Sequence, residues 1–146
     1  EKRTLNDDWS AVETGILPNP DKIEFAGRFE TRSDLGIDKF CAVNTGANRF
    51  NIGFLAVFGP ESKCEGTGTA SVQGDKVEIT LNGKGVCTFA ARYDGIELRF
   101  AGAVESGCAR YCSERASLSG THYFMIEPGD SAARNTLGRE IGRLCG

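Results

Sequence analysis

Glycine-bearing turns recur through the middle of this chain at intervals that leave room for one short strand between each pair, and that spacing restricts the fold more than anything else in the sequence. Asn82-Gly83 lies between Val77-Glu78-Ile79-Thr80-Leu81, which alternates apolar with polar side chains, and the β-favouring stretch from Val86 to Tyr93. An Asn-Gly pair supplies the positive φ angles of a tight hairpin. Asp94-Gly95 repeats the device ahead of Ile96-Glu97-Leu98-Arg99-Phe100, and Gly74-Asp75 turns the chain just before Val77. Residues 66 to 104 therefore read as an antiparallel meander of four strands.

Two more strands are legible upstream. Ile23, Phe25 and Phe29 share one face against Glu24, Arg28 and Glu30, the pattern of a half-buried strand. Phe50, Ile52, Phe54, Ala56 and Phe58 form a second run, and Leu55 and Val57 make its other face apolar as well. A strand that is apolar on both faces is expected to be covered on both, by the body of the domain and by another element. Near the C-terminus Ser131 is placed to cap a helix over 131–144, whose Ala133, Leu137, Ile141 and Leu144 make one apolar stripe. Residues 1–20 read as an N-terminal arm or short helix around Trp9 and Val12, broken by Pro18-Asn19-Pro20. The expectation is a single domain over 1–146 of the all-β class. It is mainly antiparallel, a small curled sheet or β-barrel of about 7–8 strands over 22–126, with one C-terminal α-helix. That order is similar in outline to lipocalin-like barrels, but Trp9 stands in Asp7-Asp8-Trp9 without their Gly-x-Trp signature. The size resembles small periplasmic lysozyme inhibitors, without a stretch that matches their motif.

The six cysteines, Cys41, Cys64, Cys87, Cys108, Cys112 and Cys145, are even in number and widely spaced, which suits three disulfides in an oxidising compartment. Cys108 and Cys112 are expected to bond to different partners, clamping the 106–119 loop to the barrel and to the terminal helix. The sequence begins at Glu1 with no apolar leader, so it reads as a mature chain from which a signal peptide has been removed, secreted or periplasmic. It contains no Asn-x-Ser/Thr acceptor and no apolar run of membrane-spanning length. A net charge of −3 argues against a general affinity for nucleic acid or anionic membrane.

Candidate chemistry is sparse. Cys108, Cys112, His122 and Cys145 could together ligate zinc, but oxidation would consume the thiols, and no cofactor or metal is expected. His122 is the one histidine and shares a strand face with Phe124 and Ile126, which points to a packed core residue. A hydrolase would have to combine it with Ser113, Ser117, Ser119 or a reduced Cys112, and no Gly-x-Ser-x-Gly elbow is present. Gly66-Thr67-Gly68 has no following helix and reads as a sheet-edge or hairpin feature, not a phosphate turn. The carboxylate pairs Asp7/Asp8, Glu61/Glu65 and Glu127/Asp130 read as solvated turns.

A stapled scaffold without an assembled catalytic signature leads to a non-enzymatic extracytoplasmic binding protein. It would engage a partner protein through loops at one end of the barrel, in the manner of an inhibitor of a secreted hydrolase. The loop candidates are Asn44, Asn48, Glu61, Glu65, Arg110, Tyr111 and Arg115. The acidic balance would steer the protein towards a basic target. Two alternatives stand beside this reading. One is a carrier of a small apolar ligand inside a lipocalin-like barrel lined by the phenylalanines; the other is a hydrolytic enzyme using His122.

Overall fold

The alternating segments form eight antiparallel strands that close into an up-and-down barrel, each paired with its sequence neighbours and the last returning to the first. A computed structural model describes residues 23–146, so the expected N-terminal arm, with Trp9 and the Asp7/Asp8 pair, lies outside the described residues. The strands are β1 (Gly27–Ser33), β2 (Gly36–Gly46), β3 (Arg49–Gly59), β4 (Ser62–Gln73), β5 (Lys76–Leu81), β6 (Cys87–Tyr93), β7 (Glu97–Phe100) and β8 (His122–Pro128). A 3₁₀ turn, Ser106–Tyr111, interrupts the long β7–β8 connection, and one short helix, α1 (Asp130–Arg134), follows β8. Among the described residues no helix is long and apolar enough to cross a membrane.

The turns differ in how well their residues announced them. Gln73 pairs with Lys76, so Gly74-Asp75 is a two-residue turn with the positive φ of 63° on Gly74. The β5–β6 hairpin forms as expected, but its loop runs from 82 to 86 because Leu81 pairs with Cys87. Its positive φ falls on Gly85, not on Asn82-Gly83. The Tyr111 side chain explains this: its hydroxyl accepts from the Lys84 N–H at 2.7 Å and donates to the Gly85 carbonyl, drawing the loop outward from a tight turn. Val86, expected in the strand, is exposed beside it.

Alternation sends one set of side chains into the barrel. Phe25 from the segment just before β1, Phe29, Phe40, Phe50 and Phe54 from β1, β2 and β3, and Phe89, Tyr93, Phe100 and Tyr123 from β6, β7 and β8 fill it. Phe100 is one of the well-connected rings, with ring centroids 4.8 Å from Phe89, 5.1 Å from Tyr123, 5.7 Å from Phe54 and 6.1 Å from Phe40. Such edge and tilted contacts add to the area each ring buries. The two buried phenols keep hydrogen-bond partners: Tyr93 donates to the Ile23 and Gly95 carbonyls, and Tyr123 to Thr121 Oγ1. Burial holds both hydroxyls above the ordinary tyrosine pKa, with Asp94 and Glu24 adding to the effect at Tyr93.

A second, smaller core lies outside the barrel, where Cys41, Val43, Leu55 and Val57 of β2 and β3 meet Ala133 and Leu144 of the C-terminal segment. The two-sided apolar character of β3 thus has the expected cause, a cover on each face. Phe58 is the exception: the β3–β4 register shifts between Val57 and Gly59, and the Phe58 ring is left about a third exposed.

Two sequence expectations are corrected here. The C-terminal helix over 131–144 is only Asp130–Arg134, with Gly129 and not Ser131 at its N-cap. Beyond it the chain doubles back as a strap, through the Leu137–Arg143 bridge and the bond from the Leu144 N–H to the Thr136 carbonyl. Leu137 leaves the apolar stripe and stands 53% exposed, while Ala133, Ile141 and Leu144 do pack on the barrel. The second correction concerns β8. His122, Phe124 and Ile126 share a face, but it is the outward one: pairing Tyr123 with Leu98, both fully buried, commits Tyr123 and Met125 to the interior.

Candidate functional site

The up-and-down path sorts the connections by end. Segments 34–35, 60–61, 82–86 and 101–121 lie at one end, called here the loop end; segments 47–48, 74–75 and 94–96 lie at the other, the turn end. The loop candidates therefore do not form one surface. Asn44 and Asn48 belong to the turn end, whereas Glu61, Arg110 and Arg115 are exposed at the loop end. Two of the candidates are not exposed at all: Tyr111 is 2% exposed and Glu65 3%.

Both buried residues are fasteners. Tyr111 enters the barrel mouth from the 3₁₀ turn, and β4 accommodates its ring because Gly66 has no Cβ, which would stand 2.8 Å from Tyr111 Cδ1. Gly66-Thr67-Gly68 is accordingly the interior of β4, not a sheet edge or turn. Flanking Tyr111, Cys108 bonds to Cys87 and Cys112 to Cys64, so the loop is stapled twice to the barrel wall. The different partners were expected, but the clamp to the terminal segment was not realised. That segment is held instead by Cys145, bonded to Cys41 on the outer face of β2. No free cysteine remains among the described residues, so the considered Cys108, Cys112, Cys145 and His122 ligand set has lost its thiols.

Glu65 lies on the outer face of β4 beneath the strap. Its carboxylate accepts from three successive backbone N–H groups, those of Arg139 (2.6 Å), Glu140 (3.1 Å) and Ile141 (3.2 Å), and pairs with Lys63 Nζ at 3.1 Å. These are N–H groups that a helix through 131–144 would have directed to carbonyls one turn earlier, so capture by Glu65 competes directly with that helix. Gly138 makes the approach feasible, since a Cβ there would come within 2.3 Å of Glu65 Oε2. Burial alone would raise the Glu65 pKa; the N–H groups of Glu140 and Arg139, with Lys63, outweigh it and hold the carboxyl below its ordinary value. For Lys63 burial likewise works towards neutrality, and the Glu140 and Glu65 carboxylates overcome it and raise its pKa. The reading of Glu61/Glu65 as a solvated pair is corrected: Glu61 is a turn residue and Glu65 an internal anchor.

These fastenings build a cleft of about 370 Å³ at the loop end. Its walls come from four parts of the chain: Pro60, Glu61 and Lys63 from the β3–β4 hairpin, Lys84 from the β5–β6 loop, Tyr111 to Ser113 from the stapled loop, and Arg139 and Glu140 from the strap. Ser113 ties two of them together, its N–H donating to the Lys63 carbonyl at 2.7 Å while its Oγ accepts from the Lys63 N–H at 3.1 Å. A second groove of about 450 Å³ runs along the barrel flank below α1, and most of its charged groups pair with one another. Arg28 bridges Glu30 at 2.8 Å and Glu127 at 3.1 Å, and Lys39 donates to the Leu137 carbonyl. We therefore take the loop-end cleft as the candidate site.

Of the loop candidates named from the sequence, Glu61 and Tyr111 line the cleft and Arg110 does not; Lys63, Lys84, Arg139 and Glu140 were not among them. Lys84 carries no local signal. Gly138 and Gly142 were the signal that Arg139 and Glu140 do not stand on a helix face, since glycine is unfavourable inside a helix. His122 sits apart from the cleft elements, on the outer barrel wall, where Nδ1 lies 3.1 Å from Glu97 Oε2 and 3.3 Å from an Arg99 guanidinium nitrogen. None of Ser113, Ser117 or Ser119 is among its hydrogen-bond partners; Ser117 and Ser119 bond to each other at 2.7 Å. Glu127 and Asp130 are engaged separately, by Arg28 and by the Asn44 N–H. Comparison with protein-family models, curated proteins and solved structures found no match.

Proposed function

We propose that this chain is an extracytoplasmic, non-enzymatic binding protein that engages a partner protein through the loop end of its barrel. Inhibition of a secreted hydrolase is the form of binding that best suits a small, rigid, stapled scaffold. The observation that carries the reading is the cleft: four chain segments meet there, and two of them are fastened to the barrel by disulfides. Immobilising loops before binding reduces the ordering penalty of association, which is how rigid β-scaffolds present contact surfaces. The three disulfides also support the address, because such bonds persist in oxidising compartments.

The test is affinity capture from periplasmic and secreted fractions with three baits: the wild type, a loop-end variant (Glu61→Arg with Arg115→Glu), and a turn-end variant (Asn44→Asp). A partner retained by the wild type and the turn-end variant but depleted by the loop-end variant supports the proposal, and its catalytic activity with and without this chain then tests inhibition. Retention of nothing by the wild type, or indifference to the loop-end changes, rejects it.

A further inference from the structure

We propose that the loop-end cleft is a carboxylate site: an acidic side chain of the partner enters it and is held between Lys84 and Arg139. This rests on the binding reading above and adds the chemistry of what is recognised. The argument begins with how each cation is held. The Lys84 backbone is bound to the Tyr111 hydroxyl, while among the described residues its side chain has no carboxylate partner. The Arg139 N–H is bound to Glu65, and among the described residues its guanidinium meets carbonyl oxygens alone, those of Pro60 at 3.3 Å and Gly59 at 3.5 Å. Both chains are thus fixed at the backbone with their charge uncompensated. The Arg110 guanidinium lies beside the β5–β6 loop that carries Lys84, where a Cβ at Gly85 would meet its Nη1.

Two of the acids at the cleft are engaged by Lys63 and not by the side chains of Lys84 or Arg139. Lys63 engages both Glu65, at 3.1 Å, and Glu140, at 2.9 Å, and Glu65 is further neutralised by its three N–H donors. By formal charge Lys63, Lys84 and Arg139 stand against Glu61, Glu65 and Glu140, and with Glu65 and Glu140 both drawn to Lys63, Lys84 and Arg139 are the lining cations without a carboxylate partner among the described residues. An arginine and a lysine lining one cleft suit a carboxylate, the first by directed N–H donors and the second as a point charge. The net charge of −3 on the chain acts at longer range, where physiological salt screens beyond about 8 Å, so contact at the cleft is decided by the local cations. The target contact surface is therefore acidic, although whole-chain charge alone would favour a basic target.

The experiment is an NMR titration of the ¹⁵N-labelled protein with a blocked oligoglutamate peptide, with a blocked oligolysine peptide and sodium acetate as comparators. Expected are saturable, salt-sensitive amide shifts concentrated at 61–63, 84–85, 113 and 139–140, weakened about tenfold in Lys84→Glu and changed less than about threefold in Lys84→Arg. Unchanged β-strand amide positions in Lys84→Glu establish that it is folded. Scattered shifts, indifference to Lys84→Glu, or an equal response to oligolysine overturns the carboxylate site. Acetate binding as tightly as the peptide, at equal carboxylate concentration, overturns the assignment to a partner segment. Capture of a partner by Lys84→Glu at undiminished yield removes the carboxylate contact and leaves the binding reading in place. Absence of any captured partner rejects that reading while the titration still decides the chemistry of the cleft.

Discussion

Glu65 is the residue on which most of the loop end depends. A carboxylate 3% exposed, bound by three backbone N–H groups and a lysine, is stabilising only while it is charged. Its folded pKa is depressed, so its contribution is fully present above the unfolded value and disappears as pH falls through the folded one. Urea unfolding across the acid range should therefore show the wild type losing stability in and below the ordinary carboxylate range. Glu65→Gln should flatten that part of the profile and lower stability by about 2–4 kcal/mol at neutral pH. An unchanged profile in the variant would show that Glu65 does not anchor the strap. Nothing in the neighbouring residues announced this role: Lys63, Cys64 and Gly66 place Glu65 next to a turn, and only the return of a segment distant in sequence removes it from solvent.

The strap illustrates why an element can be recognised and still be misdrawn. The four apolar residues at helical spacing do mark a segment that packs on the barrel, and three of them do so; what the periodicity could not reveal is the competitor for its N–H groups. Three fastenings act along the strap: α1 near β2, Glu65 at 139–141, and the Cys41–Cys145 bond, which spans a sequence separation of 104. Replacing both Cys41 and Cys145 by alanine should lower stability by about 2–4 kcal/mol. The loss should be local, with faster amide exchange over 136–145 and unchanged slow exchange in the β3–β4 and β5–β6 ladders. Uniform acceleration throughout the barrel would mean that the strap is not an independent unit.

As a whole, the molecule is a barrel filled by its own rings. Phe25, Phe29, Phe40, Phe54 and Phe100 are each at most 3% exposed, and the closure of β8 on β1 leaves no free sheet edge among the described strands. An interior so packed behaves as a core, and Phe100 contacts four other rings within it. Phe100→Ala should lower unfolding free energy by about 3–5 kcal/mol in denaturant titration, as cavity formation in a close-packed core does. A loss below about 1 kcal/mol would indicate slack in the interior and favour a ligand-holding barrel.

The sequence by itself determined the all-β class, the meander with its turns near 74–75, 82–83 and 94–95, and the presence of an outer cover on β3, because these follow from local alternation and from glycine in turns. Cysteine number likewise indicated stapling. Tertiary structure alone decided which cysteines pair, which face of β8 turns inward, where the C-terminal helix stops, and that Lys63, Lys84, Arg139 and Glu140 share one cleft. Each of those outcomes depends on a contact between residues far apart in the chain: Tyr123 with Leu98, Glu65 with Arg139, Tyr111 with Lys84. Periodicity reports what a residue prefers next to its neighbours, and it carries no information about which distant group will reach its hydrogen-bonding atoms first.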